Sequence, residues 1–66
     1  MIDKETISAK FDIIERDMEF LHEFNEMDED EFLNNYKNIQ SAKYSLLEII
    51  EACIDISNHI VAAKMF

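Results

Sequence analysis

The sequence predicts an all-α protein: a helical hairpin of a long helix, a turn, a short helix and a second long helix, with two copies pairing as an up-and-down four-helix bundle. Three observations predict it. The 66 residues contain no glycine and no proline, so the residues that punctuate strands, hairpins and phosphate-binding loops are missing. Apolar residues recur at helical spacing over two long stretches, with start signals in front of each helical region. The second stretch is also apolar around most of its circumference, more than one neighbouring helix can cover.

The first helix is expected over residues 4–24. Asp3 is placed to accept a bond from a backbone N–H that has no partner inside the helix, and Ile2 and Ile7 have the spacing of a hydrophobic staple. Ile7, Phe11, Ile14, Met18 and Leu21 follow at intervals of four and three and form a seam. Ile13, Phe20 and Phe24 make a second stripe beside it. Such a helix is roughly 31 Å long.

Asn25-Glu26-Met27 is the expected turn. Asp28 with Glu31 three residues later reads as an aspartate capping box, and Met27 with Phe32 as its staple. The acidic run Asp28–Glu31 sits at a helix start, where negative charge suits the helix dipole. Calcium binding is not expected there, since an EF-hand loop needs glycine and another acid spacing. Asn34, Asn35 and Asn38 compete for the backbone. The short helix is therefore expected over 29–35, followed by a bend.

The last helix is expected over 38–64. Leu46, Ile50, Cys53, Ser57 and Ile60 lie on one line, Leu47, Ile54 and Val61 on a second, and Ile49, Ile56 and Ala63 on a third. The polar strip is narrow: Glu48, Glu51, Asp55, Asn58 and His59. One antiparallel neighbour covers one side only. A second copy of the chain is the simplest cover for the rest. Leu46, Leu47, Ile49, Ile50, Cys53, Ile54, Ile56, Ile60 and Val61 are the expected core and dimer-interface residues, and Glu51, Asp55, Asn58 and His59 the candidate polar functional face.

Size and charge narrow the function. Sixty-six residues make one small domain, which buries only about 60% of its unfolded surface, and such domains draw stability from disulfides, metals or association. Cys53 is the only cysteine, so no internal disulfide exists, and a lone cysteine on an apolar helix fits a reducing cytosol. Fifteen acids against six bases leave a net charge of −9, which repels nucleic-acid phosphates and anionic membranes. No run of about 20 apolar residues exists to span a bilayer, and Met1–Glu5 lacks a signal-peptide pattern. A cytoplasmic location is expected, with neither a membrane nor direct nucleic-acid binding.

No catalytic constellation stands out. Glu51, Asp55 and His59 follow one another at i, i+4 and i+8, a spacing able to ligate a metal across a dimer. A partly buried polar strip explains them as well, the Glu-x-x-His pairs of di-metal bundles are absent, and no metal or other cofactor is expected. Ser41, Ser45 and Ser57 have no local activating pattern.

The residues also resemble a known family. The segment EFLNNYKNIQSAKYSLLEIIEACIDISNHIVA is similar to the N-terminal half of HepT-like proteins of the HEPN superfamily, and MIDKETISAKFDIIERDMEFLHEF to their first helix. Glu51-Ala52-Cys53-Ile54-Asp55-Ile56, then Asn58-His59-Ile60, is the most specific stretch. The resemblance implies a helical bundle, homodimers, and a toxin–antitoxin pair with a minimal nucleotidyltransferase partner. It also implies RNA cleavage in members carrying Arg, four to six residues, His, any residue, Tyr, where the partner adds AMP to the tyrosine. That signature belongs to the family's second half, past Phe66. The expectation is therefore a dimerising interaction module without nuclease activity. The alternative is the N-terminal part of a ribonuclease toxin whose catalytic segment follows residue 66. Arg16, His22 and Phe24 imitate the signature on the first helix, but phenylalanine offers no hydroxyl. Arg16 and His22 also point roughly 120° apart on a continuous helix, so a solvated helix face is the expected role of this set.

Overall fold

A computed structural model describes residues 3–64. Helix α1 spans Lys4–Glu23, a 3-10 turn covers Phe24–Glu26, α2 spans Glu29–Leu33 and α3 spans Tyr36–Lys64. The hairpin is long and thin, 52 × 14 × 13 Å, as follows when a 29-residue helix has only α1 and the single turn of α2 beside it.

The helix starts are set locally. The Asp3 carboxylate accepts bonds from the Glu5 and Thr6 backbone N–H groups, each at 3.1 Å, and from the Thr6 hydroxyl at 2.7 Å. Three donated bonds favour the ionised form, and the Thr6 hydroxyl bond leads in holding this carboxyl below its ordinary value. Ile2, the proposed staple partner of Ile7, lies outside the described residues.

Asp28 does begin α2, with extended backbone and its carbonyl accepting from the Phe32 N–H at 2.9 Å. The capping-box bond expected of its side chain is not made. Glu29, Asp30 and Glu31 crowd the same turn, and a fourth carboxylate gains by facing water. Phe32 packs edge-on against Phe24, centroids 5.0 Å apart, and Phe24 in turn lies 5.4 Å from Phe20. Met27 meets α3, where the Asn38 amide donates to its sulfur at 3.3 Å.

The asparagine stretch departs from the expected boundaries. Helix α2 ends at Leu33 rather than 35, and α3 begins at Tyr36 rather than near 38. Asn35 accepts a bond from the Lys37 N–H at 3.0 Å. The side-chain competition that weakens asparagine inside a helix is what makes it a cap. The bend is thereby compressed into Asn34 and Asn35.

The buried core is small. Among the described residues, Ala52 (3% exposed) and Ile56 (8%) are its buried apolar members, joined by the polar Ser45 and Asp17. Ala42, Ile49 and Ala63 are half-buried along the same side of α3. On α1 the covered line falls between the two expected stripes. Ile7, Ile13, Ile14, Leu21 and Phe24 are half-buried, but Phe11 and Met18 of the expected seam stay more than half exposed. Asp17 occupies the middle of that line.

Candidate functional site

Helix α3 presents two different faces. Toward α1 it offers small and polar residues: Ala42, Ser45, Glu48, Ala52, Asp55 and His59, with Ile49 and Ile56 among them, all buried or half-buried. Away from α1 it offers large apolar ones. Leu46, Leu47, Ile50, Ile54 and Val61 each keep 51–55% of their surface exposed, and Ile60 keeps 39%. Cys53 is exposed in their midst. Small residues let α1 and α3 approach closely, while the bulky ones are turned out.

The expected interface set therefore divides. Ile49 and Ile56, placed by the sequence among residues seeking cover, are covered within the chain by α1. Leu46, Leu47, Ile50, Cys53, Ile54, Ile60 and Val61 are left exposed and form one continuous stripe, roughly 22 Å long from Leu46 to Val61 at 1.5 Å per residue. Single exposed apolar residues need no explanation, but a contiguous stripe of several hundred Å² marks an interaction site.

The expected polar face divides as well. Asp55 and His59 are half-buried, whereas Glu51 and Asn58 are exposed. Asp55 is paired with Lys10 of α1 at 3.0 Å, so it serves the hairpin. Ion pairs this open contribute little stability, but they fix which residues sit opposite each other. His59 lies toward the α1 start, and its charge helps hold the Asp3 carboxyl down, as the smallest of several causes. Among the described residues no three His, Cys, Asp or Glu side chains converge to hold a metal ion.

A polar cluster near mid-hairpin was not singled out by sequence. Arg16 Nη2 donates to Glu48 Oε1 at 3.2 Å, and Arg16 Nε lies 3.8 Å from Asp17 Oδ1. Asp17 is only 6% exposed, and among the described residues its Oδ2 has no hydrogen-bond partner. Asp17, as an acceptor for the protonated form of Glu48, then partial burial and the charge of Asp17, push the Glu48 carboxyl above its ordinary value against the pull of Arg16. The available signal was Asp17 itself, an acid flanked at three and four residues by Ile13, Ile14, Phe20 and Leu21. Arg16 is thus tied to Glu48, and His22 is exposed.

A family model described as "Ribonuclease HepT-like" matches residues 14–66, most of the chain, including both faces of α3. The chain belongs to the HepT-like family. No curated protein and no solved structure matches it. The HepT-like match contains the whole outward stripe and the Glu51–Ile60 stretch, and it begins on α1 just ahead of Arg16. Among the described residues no HepT-like helix here is long and apolar enough to cross a membrane.

Proposed function

We propose that this chain is a homodimerising helical module of a HepT-like toxin–antitoxin system, that residues 1–66 do not cleave RNA on their own, and that a minimal nucleotidyltransferase is its heterologous partner. The observation that carries the reading is the outward stripe of α3. A folded monomer of this mass ordinarily exposes about 4,400 Å²; this one exposes 5390 Å². The excess is close to the roughly 800 Å² that each partner buries in a standard interface. Membership of the HepT-like family supports the toxin–antitoxin context and the proposed partner class.

The residues present support the absence of cleavage by residues 1–66. Residues 1–66 contain no Arg-x(4–6)-His-x-Tyr. The imitation on α1 has Phe24 in place of tyrosine, and Arg16 engaged with Glu48. The net charge of −9 also repels an RNA backbone.

Sedimentation equilibrium at micromolar concentration, with an RNA-cleavage assay on the same sample, tests both parts. A dimer without cleavage is expected. A stable, well-folded monomer overturns the first part, and cleavage by the pure 66-residue chain overturns the second. The ribonuclease description of the family favours a second reading, in which these residues are the N-terminal part of an RNA-cleaving toxin. It requires the signature in the reading frame after codon 66 and cleavage by the longer product, and a stop codon there excludes it.

A further inference from the structure

We infer that two copies pack α3 against α3 in antiparallel register, around a twofold axis passing between Cys53 and Ile54. This rests on the proposed dimerisation and adds its geometry. The outward line of α3 runs through Leu46, Leu47, Ile50, Cys53, Ile54, Ser57, Ile60 and Val61, all exposed. The spacing reads the same in both directions. Reversed about its midpoint, Leu46 exchanges with Val61, Leu47 with Ile60, Ile50 with Ser57, and Cys53 with Ile54. A twofold interface uses one patch on both subunits, so the patch must complement itself.

Residue size agrees with this register. Ile50 of one copy meets Ser57 of the other, twice, on either side of the axis, so that large faces small and the helices interlock. The bulky pairs Leu46–Val61 and Leu47–Ile60 close the two ends. A parallel arrangement sets Ile50 against Ile50 and Ser57 against Ser57, crowding one level and leaving a gap at the next.

Charge agrees as well. Glu48, Glu51 and Asp55 all lie off the stripe, Glu48 and Asp55 toward α1, so two chains of −9 bring no acid against acid along it. Lys43 and Lys64, both exposed, stand at its two ends, equally far from the midpoint. Antiparallel pairing sets the Lys43 of each copy beside the last turn of its neighbour's α3, the negative end of that helix dipole. It also opposes the dipoles of two 29-residue helices, which parallel pairing would align.

Disulfide trapping in a C53S background tests the register, because a disulfide forms only with Cα atoms about 4.4–6.8 Å apart. L46C and V61C are made as separate single-cysteine chains, each checked for helicity by circular dichroism, then oxidised alone and mixed. The expected result is crosslinking in the mixture and not in either chain alone. L47C with I60C repeats the test should the first pair perturb folding. Crosslinking of L46C or V61C with itself overturns the antiparallel register while the dimer stands. A dimer that gives no crosslink in either mixture shows that another face is used. A monomer by sedimentation ends the functional reading itself.

Discussion

Arg16 Nη2 reaches across the hairpin to Glu48 Oε1 at 3.2 Å, beside an Asp17 carboxylate that is buried with one oxygen unpartnered. The pair links the middle of α1 to the middle of α3. It also stands beside a buried acid on a line of α1 that is otherwise apolar. Removing one member leaves another polar group poorly paired, which is the costly direction.

The cluster predicts a pH dependence. Glu48 has its carboxyl raised by Asp17, so the folded chain binds a proton more readily there than the unfolded chain. This contribution is fully present below the ordinary glutamate value of 4.5 and is lost as pH rises through the raised folded value. E48Q keeps an oxygen for Arg16 and adds a donor for Asp17 without a charge. It is expected to raise the neutral-pH melting temperature and to flatten the slope of stability above pH 4.5. A variant less stable than the parent at neutral pH counts against this influence of Asp17 on Glu48.

Asp3 predicts the opposite slope. Its carboxyl is lowered, first by the Thr6 hydroxyl, so its stabilising effect is present above the ordinary 3.8 and fades as pH falls through the lower folded value. T6V removes that hydroxyl and keeps the backbone bonds. The Asp3 titration, followed by NMR, should move back toward 3.8 and the first turn of α1 should fray. An unchanged titration would show that the hydroxyl bond is not the leading cause.

Packing between α1 and α3 predicts two costs. Ile56 is 8% exposed and Ala52 3%. I56A should lose about 2–4 kcal/mol by removing buried methyls and leaving a cavity. A52L should lose about 1–3 kcal/mol by forcing the helices apart. Urea unfolding at fixed protein concentration measures both, and losses below about 0.5 kcal/mol would place these residues outside a packed interface.

The outward stripe predicts a separable effect on association. L47E with I54E places acids on two half-exposed positions and should weaken dimerisation at least tenfold, about 1.4 kcal/mol. An exposed control, E51Q, should strengthen it slightly by removing one negative charge from each chain. Sedimentation in low and moderate salt reads both, and salt should favour the dimer of this acidic chain. Undiminished association of the double variant would place the interface elsewhere.

Much of the architecture was legible in the residues. Asp3, Asp28 and the asparagine stretch mark helix boundaries through bonds to neighbours a few positions away, so the order of long, short and long helix could be read directly. The error of two residues at each side of the bend came from running the short helix through Asn35, which instead caps α3. Which side of α3 meets α1 was not legible. A helix with three apolar lines offers several docking sides, and periodicity does not rank them. Thus Ile49 and Ile56 were grouped with Leu47 and Val61, and Asp55 was grouped with Glu51, until α1 was seen to take the side bearing Ile49, Ile56 and Asp55.

By itself, then, the sequence determined the helical class, the element order and the surplus of apolar residues on the last helix, because caps and 3.6-residue periodicity act over short chain distances. Only the tertiary structure decided which line of α3 faces α1. That choice depends on contacts more than thirty residues apart, Arg16 with Glu48 and Lys10 with Asp55, and on the close approach that Ser45 and Ala52 permit. The stripe from Leu46 to Val61 is what this choice leaves uncovered.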